Sequence, residues 1–549
     1  MPRAIGNISK ILRESYVKAE KQGFRATTKT GIELSVDTRV TVDFELSVGS
    51  VQESVTVQGG AQLVKLASAD IGNVVTSQTV EQLPLSTRSF VDLISLTSGV
   101  TNGTPGENLQ GGLPQSQPFG RTAFNVNGVR TDSNNFMMDG VDINDPVLSA
   151  LIISPPLDAI EEFKLEQHSY SAEFGRAAGG VINLTMKSGT NDFHGELFEF
   201  FRNKDISARS FFDAQNPPFN QNQFGGILGG PIIRNRLFFF SDYQGTRVRQ
   251  GTTYIETVPT AAQRGGNLAD QPQFYDPLSV VGQSNGLPVH APFTGNQIPA
   301  SRINPVTAQL IAGMPLPNLP GDVNNYRVQE SNAQNFDAGD IRIDAILPHS
   351  GTLFGRYSND NARIITPAVF GILGGDPLLS GVSSTQGQNA AIGYTQIFSP
   401  ATLNDLRIGF TRKGQIIDNT SQGRDLSDQY GLPGFNLGTF YTAGLAYITG
   451  TGLGNIGSSP YSPDHIFDNV FQYSDNFSML RGRQTIKIGA SFIRRQDNHF
   501  ELNFPAGTIG FSSGFTAQPS LSGVVTGSSL ASFMLGDPTS YARDYPLGP

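Results

Sequence analysis

The sequence predicts a mainly β chain. Its largest part reads as a transmembrane antiparallel β-barrel, partial at about nine or ten strands, behind a small α+β domain and the end of a β-sandwich. Three observations carry this: alternation along many segments, links of two length classes, and a turn-rich composition.

The alternation is clearest late in the chain. Ile341, Ile343, Ala345 and Leu347 interleave with Asp340, Arg342 and Asp344. Phe471, Tyr473, Phe477 and Met479 oppose Gln472, Ser474, Asn476 and Ser478. Ile486, Ile488, Ala490 and Phe492 oppose Lys487, Gly489 and Ser491. A period of two puts one set on each face of a strand. Strands are expected at 193–202, 222–233, 237–248, 336–347, 351–359, 389–398, 402–412, 468–480 and 484–496.

The links then decide the architecture. Three-residue turns are expected at 234–236, 348–350, 399–401 and 481–483, and long links at 249–335, 360–388 and 413–467. Short and long alternate, so one rim carries tight turns and the other large loops, as in outer-membrane barrels. Strands of roughly ten residues with one apolar face suit a tilted crossing of the bilayer. A soluble sandwich or propeller would also alternate, but it would not sort its links this way, and a link as long as 249–335 is foreign to a compact domain.

Composition agrees. There are 62 Gly in 549 residues, above the usual share of roughly 7%, and 15% charged residues against roughly 25%. The net charge of −9 argues against a nucleic-acid partner, which calls for a basic stripe. Without any Cys there is no disulfide framework and no thiolate metal site. The first ten residues have no apolar core of signal-peptide length, and no run approaches the ~18 apolar residues of a membrane helix.

Ahead of the barrel, residues 1–59 contain a stretch at Tyr16 and alternating segments at 32–36, 40–46 and 51–57. These read as the last strands of a β-sandwich. Residues 60–190 are mixed. Short helices are expected at 77–85 and 89–96, where Phe90, Leu93 and Ile94 form one stripe ended by Gly99. Short strands are expected around Phe124–Asn127, Asn135–Asp139 and Phe163–Glu166. Residues 191–549 form the barrel part.

Several stretches resemble TonB-dependent outer-membrane receptors of the large Oar-like kind with an N-terminal carboxypeptidase-regulatory-like domain. Phe136–Asp142 (FMMDGVD) resembles the plug's "LDGV" segment, and Leu157–Leu165 its "IERIEV" strand. Tyr170–Thr185 with Lys187–Gly189 resembles the plug's closing run. Phe224–Pro231 leading into Asn235–Phe240 is similar to an early barrel hairpin. Gly23, Phe24 and Val42–Leu46 resemble the end of the regulatory-like domain. The resemblance implies a barrel of typically 22 strands around a plug, in the outer membrane of a Gram-negative bacterium. It implies energy-coupled uptake of a bulky, scarce ligand, with TonB pulling ahead of the plug. The family's signal peptide, the first strands of its sandwich domain and its terminal aromatic strand are not found. The expectation is therefore an internal piece of a protein about twice as long, since an open barrel leaves two unpaired edges.

Site expectations follow. Glu53, Ser54, Val55, Thr56 and Val57 resemble a TonB box, which would pair with a partner by strand addition; the alternative is the last strand of the preceding domain. The plug motif comprises Asp139, Gly140, Glu161, Glu162, Glu173, Gly175, Arg176, Gly179 and Gly180. Of these, Glu161, Glu162, Glu173 and Arg176 either hold the plug to the wall or are ordinary lumen-facing groups, the second being favoured because isolated ion pairs are rarely decisive. Gly179 and Gly180 are expected to let the last plug strand pass close to the barrel wall. Asp139, Asp142, Asn144 and Asp145 could bind Ca²⁺, but their spacing is not that of an EF-hand and favours a solvated turn. Gly452, Gly454 and Gly457 match GxGxxG, yet Pro460 and Pro463 follow where a helix would have to start, so a flexible loop is expected. The six His form no close pair, so no metal and no cofactor is expected. The aromatic residues are expected on the lipid face and at its boundaries.

Three functions compete. A TonB-coupled importer explains the α+β domain. A passive porin or surface adhesin does not need one. A surface enzyme lacks a nucleophile-base constellation.

Overall fold

The computed structural model describes residues 8–9, 15–19, 23–32, 44, 47–48, 54–58, 71–76, 88–102, 124–146, 150–168, 170–175, 177–209, 216–375, 380–482, 484–518 and 525–544. Near the N-terminus, β1 (Ile8–Ser9), β2 (Ser15–Ala19), β3 (Ala26–Ile32) and β4 (Ser54–Gln58) form one sheet in that order. The expected strands at 32–36 and 40–46 lie almost wholly outside the described residues, while β3 falls on a segment the pattern did not single out.

The α+β domain is built on a five-stranded sheet. Its strands are β5 (Ile71–Thr76), β8 (Asn135–Met138), β9 (Val141–Asp142), β10 (Ile160–His168) and β11 (Val181–Met186), in the order β5-β10-β11-β8-β9. β6 (Val100–Asn102) and β7 (Phe124–Val126) pair beside it. The helix Phe90–Ile94 starts where the Ser89 hydroxyl accepts from the Val91 N–H, a serine N-cap. It buries Phe90, Leu93 and Ile94 as the spacing predicts. Phe90 packs edge-on to Phe163, and Phe124 to Phe136, inside one apolar core. The expected helix at 77–85 lies outside the described residues.

Nine antiparallel strands make the large sheet: β12 (His194–Asn203), β13 (Phe219–Ile233), β14 (Leu237–Glu256), β17 (Tyr326–Leu347), β18 (Gly351–Thr366), β19 (Gly381–Ser399), β20 (Thr402–Asn419), β22 (Asp464–Arg481) and β23 (Gln484–Glu501). Each pairs with the next in this order, and β12 is not paired to β23, so the barrel is only partly closed. At the tight-turn rim the strand ends agree with the sequence reading to within a few residues. At the other rim they do not, because from β13 onward the strands run 15 to 22 residues. β14 and β17 stay in register from Leu237↔Ala345 to Glu256↔Tyr326. Toward these upper ends Tyr254, Tyr326 and Val328 pack against the core formed by the long links and Ile364, Ile417 and Ile466 are buried, so the pairing continues where the outward apolar alternation has ended.

Side chains sort by parity. Ile341 is 51% exposed, whereas its neighbour Asp340 is 5% exposed. The outward set is apolar (Ile343, Ile392, Tyr473, Phe492) and the inward set polar (Arg356, Ser358, Asn389, Thr411), the pattern of a wall between lipid and a filled lumen. No helix among the described residues is long and apolar enough to cross a membrane.

The long links fold together into a cap. Within 257–325 lie the hairpin β15 (Tyr275–Ser284) and β16 (Leu287–Pro292) and the helix Pro305–Gly313. β21 (Tyr447–Thr449) belongs to 420–463, and β24 (Thr508–Gly510) and β25 (Ser540–Ala542) follow β23; the three form a small sheet. Leu268, Phe274, Phe370, Leu373, Leu445, Ile448, Phe511 and Phe533 bury one another in a second core. The helix Ser529–Leu535 is capped by Ser528 and ended by Gly536 in the left-handed region, φ 79°. The Asn304 N–H bonds the Met534 carbonyl at 2.8 Å, tying two links together. Hydrogen bonds from Arg302, together with the Leu278 N–H and the Arg302 charge, hold the Asp276 carboxyl below its usual range against the opposing effect of burial. The segment around Gly452–Gly457 is packed here, with Ile456 bonded to Ile448, so the expectation of a flexible loop is corrected.

Many phenylalanines therefore serve these two cores. Phe193, Phe398 and Phe492 are exposed as the lipid-face reading expects, but Phe90, Phe136, Phe163, Phe274 and Phe533 are buried in the α+β domain or the cap.

Candidate functional site

The site is the seat of the α+β domain against the inner wall. It is made by the hairpin β8–β9. Met138 pairs with Val141, and Asp139 (φ 50°) and Gly140 (φ 81°) form the two-residue loop between them. Asp-Gly with positive φ at both positions is the sequence of a tight type I′ turn. The turn presents Asp139 to the wall.

Arg342 of β17 donates to Asp139 at 2.9 Å, and Arg356 of β18 donates to its other oxygen at 2.7 Å. The Met186 N–H also donates to Asp139 at 3.2 Å. Burial would raise the Asp139 carboxyl, but Arg342, Arg356 and these hydrogen bonds outweigh it and hold the carboxyl below its usual value. Asp142 pairs with Arg495 of β23. Its N–H donates to the Gln472 side chain at 2.8 Å, and its carbonyl accepts from Thr411 at 2.6 Å. Gln472 also donates to the Gly140 carbonyl at 2.9 Å. Asp145 pairs with Lys413 of β20 at 2.5 Å. The Ser154 N–H donates to Asp360 of β18 at 2.7 Å. One short hairpin thus contacts five wall strands.

The wall makes room with its own glycines. A Cβ on Gly387 would lie 2.1 Å from the Ile152 carbonyl oxygen, and one on Gly409 would lie 2.3 Å from Val141. Gly179 and Gly180 do not have the expected role. A Cβ there would meet Asn134, or Leu165 and Val126, all inside the α+β domain. They pack β11 onto its own domain, with the Gly180 N–H bonded to Asn134 at 2.9 Å.

The remaining expected residues divide. Asp142, Asn144 and Asp145 are buried and bonded, so the solvated-turn reading is corrected. Asn144 spends its amide on Asn135, Phe136 and Asp142, within the hairpin. No group of three His, Asp or Glu able to hold a metal occurs among the described residues. Glu173 bridges to Lys487 of β23 at 2.8 Å, a half-exposed pair between the domain and the wall. Glu161 is exposed and Glu162 half-buried on β10. The Gly175 carbonyl accepts from Asn135 at 3.3 Å. Glu53 and Arg176 lie outside the described residues. Ser54–Gln58 pair in parallel with β3 at one edge of the N-terminal sheet.

Arg342, Arg356, Lys413, Arg495 and Gln472 escaped the sequence reading of the site. Each sits at an inward position of a wall strand, so cations at lumen parity were the available signal. Beneath the seat, towards the tight turns, a cleft of about 1640 Å³ opens between the domain and the wall, bordered by Asp139, Glu173, Arg342, Arg407 and Lys487. The segment leaving β11 is tied to the first tight turn by paired side-chain and backbone bonds between Asn191 and Asn235, at 2.8 and 2.7 Å.

A five-stranded domain seated by ion pairs against the lumen face of an outward-apolar sheet is a plug in an outer-membrane barrel. Residues 185–548 match the outer membrane beta barrel domain family, and residues 64–181 match the TonB-dependent receptor plug domain. The chain belongs to the outer membrane beta barrel family. It carries the plug and barrel domains of TonB-dependent transporters, a family of receptors and transporters in the Gram-negative outer membrane. It is 25% identical over 274 residues to the TonB-dependent transporter Oar of Myxococcus xanthus, covering 47% of this chain and 24% of that one. It is 24% identical over 210 residues to the probable TonB-dependent siderophore receptor PirA of Acinetobacter baumannii, covering 35% and 25%. The fold is similar to the crystal structure of the outer membrane transporter YddB from Escherichia coli, with TM-score 0.50 and 10% identity over 81% of this chain and 50% of that one. The matched part thus spans about a quarter of the length of these curated relatives.

Proposed function

We propose that the chain takes up a bulky, scarce ligand across the outer membrane by TonB-coupled movement of its plug. The observation that carries this is the seat. A passive pore needs no domain locked into its lumen, whereas Asp139, Asp142 and Asp145 hold this one to Arg342, Arg356, Arg495 and Lys413. Ion pairs between a domain and a wet lumen separate and re-form without unfolding either partner, because water replaces the lost bonds.

We assign residues 1–59 to a carboxypeptidase-regulatory-like sandwich, 60–190 to the plug and 191–549 to the barrel. Glu53–Val57 would be the segment TonB engages. In support, β4 is the last strand of its sheet among the described residues, an edge position of the kind to which another strand is added. No enzymatic activity is proposed.

The chain has no Cys, which makes the test clean. A single cysteine is placed at Ser154, on the plug side of the seat, in cells producing the full chain. Thiol labelling is compared with and without energised TonB. Labelling that rises only with energised TonB supports coupled plug movement. Equal labelling in both states overturns it.

A further inference from the structure

The wall cations of the seat do not face the plug alone. Arg342 of β17 and Arg356 of β18 lie directly opposite each other in the register, and both donate to Asp139. Like charges so placed repel, so withdrawal of Asp139 leaves two guanidiniums in an unfavourable pair. Each has a carboxyl of the wall within reach. Arg342 is already bonded to Asp344 on its own strand, at 2.9 Å. Arg356 stands 4.0 Å from Asp340 of β17 and is linked to it through Ser358, whose hydroxyl accepts from Arg356 and donates to Asp340. Asp340 is buried, and its second oxygen has no hydrogen-bond partner among the described residues. Its neighbour across the register is Asp242 of β14, another carboxyl with both oxygens unpartnered. This corner of the wall has carboxyl oxygens to spare.

The arrangement recurs further along the seat. Lys413 of β20 pairs with Asp145 at 2.5 Å, and directly opposite Lys413 in the register is Asp468 of β22. Asp468 is fully buried, and neither of its oxygens has a hydrogen-bond partner among the described residues. Buried polar atoms without partners are uncommon enough to call for a reason. Here both orphans stand beside a wall cation that is spent on the plug. The reason lies in how the seat opens. Plain separation leaves buried cations uncompensated until the gap is wide enough for water, which is the most expensive way to part a buried pair. Wall carboxyls beside those cations are at hand before any water is.

We propose that Asp340 and Asp468 are positioning residues for plug release: as Asp139 and Asp145 withdraw, Arg356 turns to Asp340 and Lys413 to Asp468, so the seat opens by exchange of partners within the wall. This rests on the reading that the plug moves, and it adds the wall residues that set how readily the plug does so.

The test uses the full chain in detergent, without TonB, and follows amide hydrogen exchange in β8 and β9, the hairpin that carries Asp139. D340N and D468N keep the shape of each side chain and remove its charge. Amide exchange is expected to slow about tenfold in D340N/D468N, the difference that loss of one charge-assisted contact in the open state makes. Carboxyls that merely hold the wall together would loosen the seat when lost, and amide exchange would rise instead. Two further backgrounds separate partner exchange from simple repulsion between wall and plug carboxyls. In R356M the change D340N is expected to have no further effect, and in K413M the same holds for D468N, because each carboxyl acts through its cation. D337N, which removes a half-exposed carboxyl bonded to Arg247, is expected to behave as the parent does. Heat-modifiable gel migration checks that each variant is folded. Faster or unchanged amide exchange in folded D340N/D468N, or slowing that persists in R356M and K413M, would overturn the proposal. These outcomes are separate from those of the labelling test at Ser154, since no TonB is present: equal labelling there overturns coupling to TonB, while the amide exchange still decides whether the seat opens by exchange of partners.

Discussion

The plug seat and the extracellular cap are both built from segments far apart in sequence, yet they are held by opposite chemistry. The seat is a set of buried ion pairs and amide bonds between an Asp-rich hairpin and wall cations. The cap is an apolar core to which four links each contribute a few side chains. Apolar burial has no geometric release point and is lost only by exposing the whole surface to water, at roughly 25 cal/mol per Å². An ion pair is directional and is exchanged for hydration once a few ångströms of separation admit water. The comparison teaches that the joint expected to open is polar, and the assembly expected to persist is greasy.

Several substitutions break or sharpen that contrast. The largest effect is expected from Phe533→Ala. Phe533 is buried and packs edge-on to Phe511 at 5.1 Å, so its loss should destabilise the cap by about 3–5 kcal/mol. Hydrogen exchange should accelerate in 257–325 and 502–544 and stay unchanged in β10 and β11. If the plug strands exchange faster too, cap and seat are one cooperative unit and the contrast fails.

Next is Arg356→Met. It leaves Asp139 with Arg342 and the Met186 N–H in a buried site, at about 3 kcal/mol, the lower end for breaking a buried pair. Faster exchange at β8 and β9 with an unchanged cap is the expected readout.

The same lock should weaken in acid. The folded carboxyl of Asp139 lies below its ordinary 3.8, so its contribution is fully present above that value and is lost as pH falls through the lower, folded one. Exchange at β8 and β9 measured between neutral and strongly acidic pH should rise only at the acidic end. A rise centred near neutrality would assign the lock to another group.

The smallest effect is expected from Lys487→Met. Its partner Glu173 and the lysine itself are partly open to solvent, and such pairs contribute under about 1 kcal/mol. Plug exchange should change little; a loss comparable with that of Arg356→Met would mean that exposure does not rank these contacts.

How much could be read beforehand depends on how local the cause is. Strand parity was legible because a period of two places Ile341 outward and Asp340 inward whatever the neighbours are. The tight turns were legible because two or three residues must reverse the chain, and Asn235, with φ 61°, lies where a turn residue was expected. The upper strand ends were not, because Tyr254, Tyr326 and Val328 there pack against the folded long links, a tertiary contact that no local period announces. Asp139 and its neighbours could be seen as a cluster, but its meaning could not. Arg342 is 203 residues away and Arg495 is 353 residues from Asp142, so only closing the sheet around the plug turned a hairpin that looked solvated into a buried lock. The glycines show the same division. Gly179 and Gly180 were noticed as a pair, but whether they face the wall or their own domain is a matter of packing, and the close approach to the wall came from Gly387 and Gly409 instead. By itself the sequence determined that this chain makes an outward-apolar antiparallel sheet with one rim of tight turns, because alternation and chain reversal act over a few residues. Only the tertiary structure decided which charges meet and which phenylalanines leave the lipid for a core, because those contacts depend on where distant strands and loops come to lie.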